Sequence, residues 1–540
     1  MNSLRAIEAL VNDVRRRVGS TTSVTSIRQS LADELTDLTE GLVQDPAARQ
    51  VWGDGTDILG TAYEQLLPAT ARRPKGQFQT PFWAADLMAR WLLGRPTKTL
   101  FDPAVGTGRL LFRAFEHGQH QPNRFVGWDV DELCVLMGAL NMRLRQVPGY
   151  SIERANFLLD NDALKQAGLL DDPPDATICN PPFSRHQLLD AATKDAIHRN
   201  LQEVHGIEVS RRAGLHALFL VRALALAAPG GRLAFITPAG WLDADYGQAV
   251  KAYIDRHASL EAMVIFGERK FFFDGAQTTA AITLLKNEPC DAPTRLIRLG
   301  AELPEIDEVL GTVRGAKTDI KVQETVLRPA ARWSRPSVRL PQGTPLEELA
   351  LVRRGIATGH NRFFVISESR RSDLGLREHD LLPCLYRPRV VPELEIGKRD
   401  LDALDDDVPR WLLNAASDQK ESNDDPLGRY LKTGLELGVN KRYLARKRKC
   451  WFRLEQRGNC EIVLPYMHRN TAWFIRNRAG AVPLNTFHVI EPYDPEQADQ
   501  LWEALNELTV LRQLRRLGRE YGNGLWKIEP GDLRRVRVEL

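Results

Sequence analysis

The sequence predicts an α/β protein: a seven-stranded, doubly wound sheet with helices before it and a mixed α+β unit after it. Three observations predict this. From about 97 to 287, short apolar runs alternate with segments of helical period, the pattern of a parallel sheet covered on both faces. A glycine-containing loop follows the first of these runs, where such sheets bind ligands. Before 75 the apolar residues recur only at helical spacing, and beyond 345 the patterns are weaker and mixed.

The elements follow in order. Ile7, Leu10, Val11 and Val14, then Ile58, Leu59, Ala62, Leu66 and Leu67, mark apolar helix faces within an N-terminal helical segment, 1–75. Pro74 breaks the chain. The sheet domain, 76–290, carries candidate strands at Thr97–Phe101, Arg124–Trp128, Ser151–Arg154, Ala176–Cys179, Arg232–Ile236, Ala262–Phe266 and Thr278–Leu285. After the second strand, Leu133, Leu136, Met137, Leu140 and Leu144 share one helix face. The last two strands lie too close in sequence for a helical crossover, which predicts one antiparallel strand at the sheet edge. Residues 291–344, rich in proline, read as a linker or covering region, and 345–540 as a second domain.

Composition excludes several classes. The chain has 540 residues, too many for one ordinary core, with 43% apolar and 26% charged residues, as in soluble globular proteins. The apolar run Leu215–Ala228 is interrupted by Arg222 and is too short to span a bilayer, so no membrane association is expected. The first residues lack the order of a signal peptide, which points to the cytoplasm. The six cysteines form no C-x-x-C pair, and no metal site is expected. A net charge of +3 leaves any nucleic-acid surface to local clusters.

Three motifs carry chemistry. The first is Phe101-Asp102-Pro103-Ala104-Val105-Gly106-Thr107-Gly108, a strand end opening a helix. Gly106 and Gly108 let the backbone turn tightly and approach a ligand. The carboxylate of Asp102 and the lack of a Gly-Lys-Ser/Thr ending argue against a phosphate cradle. The second is Gly127-Trp128-Asp129-Val130-Asp131. Asp129 follows the glycines by about twenty residues, the spacing at which a carboxylate reaches ribose hydroxyls. Asp131 suits a helix N-cap. The third is Cys179-Asn180-Pro181-Pro182-Phe183. Two prolines can continue neither strand nor helix, so Pro181 and Pro182 fix a rigid turn that aims Asn180. An amide oxygen and a backbone carbonyl can accept both hydrogens of an exocyclic amine and orient its lone pair toward a methyl sulfonium. Phe183 offers a face on which a base can stack.

In this order the motifs resemble those of class I S-adenosylmethionine-dependent methyltransferases that act on amines. Asp57-Ile58-Leu59-Gly60-Thr61-Ala62-Tyr63-Glu64 and Gly76-Gln77-Phe78-Gln79-Thr80-Pro81 precede the glycine loop, and a large unit follows the sheet. The chain thus resembles the TaqI-like, gamma-order DNA adenine-N6 methyltransferases of restriction–modification systems. Gly230–Pro238 and Lys270–Ile282 are similar to later motifs of that family. Gly355–Asn361, Cys450–Phe452, Asn485–His488 and Leu525–Pro530 are similar to its target-recognition domain.

The resemblance implies a methyl transfer from S-adenosylmethionine to N6 of a flipped adenine in double-stranded DNA. It implies that Phe78, Thr80, Asp102, Ala104, Gly106, Gly108, Asp129, Val130, Asn156 and Phe157 surround the cofactor. Asn156 stands where the family carries Asp, which implies a weaker hydrogen bond to the cofactor adenine. Phe272 matches the second stacking aromatic beside Asn180, Pro181 and Phe183. A monomer acting on DNA, with a separate restriction endonuclease as candidate partner, is the implied assembly; the chain has no convincing nuclease motif of its own.

The run Lys441–Arg453 is basic, with aromatics and no acid. Lys441, Arg442, Arg446, Lys447, Arg448, Lys449 and Trp451 are the candidate DNA contacts. Three other readings share parts of the pattern: an RNA base-amino methyltransferase, a protein glutamine methyltransferase and a non-catalytic specificity or scaffold subunit of a defence complex. The first two usually lack so large a second domain, and an intact Asn180 and glycine loop argue against the third.

Overall fold

The computed structural model describes residues 3–18, 23–44, 56–67, 79–183, 189–266, 279–300, 302–335, 340–391, 394–416, 418–455, 460–469, 471–520 and 525–540. Phe78, Phe272 and the rest of 267–278 lie outside the described residues. The chain divides into two compact units, 1–336 and 337–540.

The first unit is built on a nine-stranded sheet: β1 (Thr99–Asp102), β2 (Arg124–Asp129), β3 (Tyr150–Arg154), β4 (Ala176–Cys179), β5 (Arg232–Pro238), β6 (Ser259–Phe266), β7 (Ala280–Lys286), β8 (Thr294–Leu299) and β9 (Val322–Thr325). Their order is β3-β2-β1-β4-β5-β7-β6-β8-β9. The seven expected strands are all present, within a few residues of their sequence bounds. Two differences stand out. The antiparallel strand expected to close the sheet, β7, lies between β5 and β6 and runs antiparallel to both, while the edge strand β9 pairs antiparallel with β8. The short connection forbids a parallel crossover, but it does not fix which side of β6 the returning strand takes. The proline-rich region read as a linker contributes β8 and β9, and β8 pairs parallel with β6. Pro289, Pro293 and Pro304 flank β8 and disguise its apolar alternation as loop.

The helices that shape the site are α1 (Ser3–Val18), α2 (Val24–Gln44), α3 (Ile58–Leu66), α4 (Phe82–Leu92), α5 (Arg109–His117), α6 (Glu132–Leu144), α7 (Leu215–Leu226) and α8 (Ile306–Val313). The Asp131 carboxylate caps α6 by accepting the Leu133 N–H at 3.2 Å, as its position predicted. The outward face of α6, Leu133, Met137, Leu140 and Leu144, is buried against Leu10, Val14, Leu31, Leu59 and Tyr63 of the N-terminal helices. The opposite face brings Gly138 and Asn141 to the glycine loop. The N-terminal helices therefore cover an apolar stripe that the sheet alone would leave in water.

The second unit holds a five-stranded sheet in the order Ala350–Arg354, Phe487–Pro492, Ile462–Pro465, Ile475–Asn477, Glu395–Ile396. A four-stranded sheet runs Val365–Ser367, Pro409–Leu413, Leu381–Leu385, Val482–Pro483. The mixed α+β character expected of this half is found.

Gly108, at the entry to α5, has φ +81°, and a Cβ there would lie 3.3 Å from the Gly138 backbone. Gly108→Ala therefore combines left-handed strain with a clash against backbone. Urea unfolding should register a loss of about 1–3 kcal/mol; unchanged stability would mean that the loop re-forms around the methyl group.

Candidate active site

Sheet topology brings the three motifs together. β1 pairs with β2 on one side and β4 on the other, all parallel. The glycine loop, Asp129 and Asn180 thus emerge side by side at the carboxyl ends of three adjacent strands. β1 is also where the strand order reverses, the position at which doubly wound sheets open a crevice.

A cavity of about 640 Å³ occupies that crevice. Thr80, Ala104, Gly106, Asp129, Val130, Phe157, Asn180 and Pro182 line it, together with Leu215 and Phe219 of α7. Gly106 has φ +54°, and a Cβ there would meet no atom within 4 Å. The loop backbone is thus open to the cavity on the side where any other residue would project a side chain. The Asp129 carboxylate ties the crevice together: Oδ2 accepts the Gly106 N–H at 3.0 Å and Oδ1 the Asp131 N–H at 2.9 Å. Burial pushes its pKa up to about 6, against the pull of these hydrogen bonds.

Asn180 follows β4 directly, and its Nδ2 donates to Thr80 Oγ1 at 3.0 Å. Pro181 is buried, and Phe183 is half-buried against the core that includes α4. The Asn-Pro-Pro turn and Thr80 are thus joined across a sequence separation of 100 residues.

Three residues expected near the cofactor do not line this cavity. Asp102 is fully buried beneath the loop rather than on the cavity wall. Its Oδ1 accepts the Ala104 N–H at 3.0 Å, and it neighbours the Cys179 thiol. Burial first, and then the nearby Asp129 charge, push its pKa up to about 8. Gly108 caps α5 and does not line the cavity. Asn156 is also absent from the wall: its Oδ1 accepts the Leu158 N–H at 3.1 Å, and its neighbours Ala155 and Phe157 line the cavity instead.

Sequence reasoning missed a buried polar group behind the wall. Asp57, 1% exposed, accepts from the Gly60 N–H at 2.8 Å, Thr107 Oγ1 at 2.8 Å, Arg109 Nε at 3.0 Å and Asn141 Nδ2 at 3.2 Å. Arg109 Nη1 donates to the Thr80 carbonyl at 2.8 Å. Farther along, Arg28 is ion-paired with Asp131 and donates to the Tyr63 hydroxyl at 2.9 Å, so α2 and α3 form part of the cavity rim. The sequence held one signal. Arg109 opens a helix, where the dipole disfavours a cation, so a compensating carboxylate was to be sought.

In the second unit the basic run folds into two short helical turns. Lys441, Arg442, Arg446, Lys447 and Lys449 are exposed, and none of the five is ion-paired among the described residues. Arg448 and Trp451 differ from expectation. Arg448 donates to the Ala357 and Thr358 carbonyls at 2.9 and 2.8 Å. Trp451 packs on Phe363 and donates to Glu421 Oε1 at 2.9 Å. Both are committed to the fold of their own unit.

Such a sheet, with an antiparallel strand inserted before the sixth and a glycine-lined crevice at its switch point, defines a class I methyltransferase fold, and fold and family together imply S-adenosylmethionine. Residues 54–309 match the N-6 DNA Methylase family, and residues 323–540 match the C-terminal domain of the Type II methyltransferase M.Eco57I. With these two matches the chain is an adenine-specific DNA methyltransferase. It is 28% identical over 488 residues to the Type II methyltransferase M.AccI of Acinetobacter calcoaceticus, covering 87% of this chain and 86% of that protein. It is 28% identical over 484 residues to the Type II methyltransferase M.XamI of Xanthomonas campestris pv. amaranthicola, covering again 87% and 86%. The fold is similar to that of the Type IIL restriction-modification enzyme MmeI in complex with DNA, with TM-score 0.57, 13% identity, and 88% of this chain and 69% of that one covered. Among the described residues no helix is long and apolar enough to cross a membrane.

The raised pKa of Asp102 has a consequence for stability. The folded protein keeps this proton up to about pH 8, whereas the ordinary carboxyl releases it near 3.8. Its stabilising contribution is therefore complete below the unfolded value and is lost as pH rises through the folded one. Asp102→Asn cannot ionise and retains an oxygen for the Ala104 N–H. In urea titrations the variant should gain on the wild type steadily between about pH 4 and pH 8; parallel profiles would show that Asp102 does not titrate in this way.

Proposed function

We propose that this chain methylates N6 of an adenine rotated out of duplex DNA, with Asn180 holding the target amine, as the modification enzyme of a restriction–modification system. The observation that carries the reading is the placement of Asn180, Thr80 and the glycine loop on one cavity wall. The order of motifs favours the gamma arrangement.

The residues present fit S-adenosylmethionine. Gly106 and Ala104 would pass beneath its methionine portion, with Thr80 beside it. Asp129 would accept from the ribose hydroxyls, and Phe157, Val130 and Phe219 would enclose the adenine. When bound, the cofactor supplies an activated methyl group on sulfonium sulfur. Asn180 Oδ1 and a neighbouring backbone carbonyl of the turn would accept the two hydrogens of the target amine and aim its lone pair. Once methylated, the amine would release one proton to water, its orientation still held by the hydrogen bonds to Asn180 Oδ1 and the turn carbonyl. Pro181 and Pro182 keep the turn from relaxing when the base arrives. Phe183 would replace the stacking that the adenine gives up on leaving the duplex, at roughly 1–3 kcal/mol per contact. Phe272 is proposed as the second face.

Expression in a methylation-free host, followed by single-molecule mapping of modified bases, tests the reading. Wild type should leave N6-methyladenine at one recurring sequence, and Asn180→Ala should leave none while still binding the cofactor. A genome without modified adenine in both cases would overturn it.

Lys441, Arg442, Arg446, Lys447 and Lys449 are proposed to contact DNA phosphates. Each neutralised phosphate steepens the salt dependence of binding by about 0.9 in log–log slope. Replacing the five by Ala should weaken binding to all duplexes alike and flatten that slope by several units. An unchanged slope would return these side chains to the solvated surface.

A further inference from the structure

We propose that Arg109, held by the buried Asp57 carboxylate, is a positioning residue for methyl transfer: through Thr80 it fixes the direction in which the Asn180 amide points. The inference rests on the reading of Asn180 as the group that holds the target amine.

Arg109 is the first residue of α5, where the positive end of the helix dipole disfavours a cation. Its location is therefore costly and needs a reason. Nε and Nη2 both lie 3.0 Å from Asp57 Oδ2, and Nη1 lies 2.8 Å from the Thr80 carbonyl oxygen. The guanidinium carbon sits 4.6 Å from the centre of the Phe82 ring. Only a planar fork can meet a carboxylate on one side and a carbonyl on another in this way. Asp57 is fixed in turn by the Gly60 N–H, Thr107 and Asn141, so the fork cannot swing.

The consequence falls on Asn180. With the Thr80 backbone held, its hydroxyl receives the Asn180 amide nitrogen at 3.0 Å. The amide oxygen then lies on the opposite side of the group. A flipped amide would present two donors to an amine that is itself a donor, and the amine would not be held. The Asp57–Arg109–Thr80 line thus fixes where the catalytic amide is held without touching substrate. A misplacement of about 1 Å can cost about 100-fold in rate.

The test uses the full chain and two variants. Arg109→Lys keeps the charge facing Asp57 but not the fork. The pair Asp57→Asn with Arg109→Gln removes both charges and keeps hydrogen-bonding groups in place. Melting temperature, S-adenosylmethionine affinity and single-turnover methylation at saturating cofactor and DNA are measured for each. The expected result is a rate about 10- to 100-fold lower, with folding retained and cofactor affinity changed less than about threefold. A wild-type rate in a folded variant overturns the proposal. So does loss of folding in both variants, or a loss of cofactor affinity as large as the loss of rate, either of which makes Arg109 a structural residue. A wild-type protein that binds cofactor and methylates nothing overturns instead the reading of Asn180, and this inference falls with it.

Discussion

The Asp57 carboxylate joins segments that are far apart in the chain. Its donors come from the start of α3, the glycine loop, the first residue of α5 and the inner face of α6. Removing one partner of a buried ion pair of this kind typically costs about 3–5 kcal/mol, because the other charge is left uncompensated. The glycine loop therefore owes its place to more than its own turn. Gly106 and Gly108 allow the backbone to adopt a left-handed path, while Asp57 and Asn141 hold that path against Gly138. The N-terminal helices, which look like a cover over an apolar stripe, are through this carboxylate part of the cavity's frame.

The sheet supplies the second constraint. Asn180, the glycine loop and Asp129 are adjacent only because β4 crosses to the far side of β1 after β3 has been laid beside β2. A parallel sheet needs buried strands on both faces, and β1 and β4 are buried at every position. The two carboxyls at these strand ends are consequently drawn into a low-dielectric setting. Asp102 responds by holding its proton, and Asp129, at the rim, does so less. The difference separates a carboxyl that shapes the loop from one that faces the cavity.

The division between what the residues announced and what they concealed follows the range of the interactions. The glycine loop, the Asp131 cap and the Asn-Pro-Pro turn are local: a few consecutive residues dictate the backbone, so the sequence displays them. Asp57 is different, since its side-chain partners in the loop, α5 and α6 lie 50, 52 and 84 residues away. Nothing in the run Asp57–Glu64 says which of its polar groups will be buried or by whom they will be met. The place of β7 between β5 and β6, and the strands hidden among prolines at 294–325, are hidden for the same reason. Asn156, which stands where the resembled family carries Asp, has its oxygen engaged by the Leu158 N–H in a short-range turn.

The basic run in the second unit applies the same reasoning to electrostatics. Seven residues looked equivalent on composition, yet a charge is available to a partner only if the fold has not used it. Arg448 donates to two backbone carbonyls and burial lowers its pKa, so its guanidinium is already committed. Trp451 lies against Phe363 and Gly434 in the same way. The five remaining cations have no such commitment, and Tyr443, 74% exposed, is the aromatic that stands among them. Cations of this kind recognise a phosphate backbone whatever its sequence, whereas reading bases requires side chains fixed in direction. On the proposed reading the exposed run would supply affinity rather than the choice of site. Lys441, Arg442, Arg446, Lys447 and Lys449 are exposed and close in sequence, so a chain with a net charge of only +3 still presents a local cluster of positive charge.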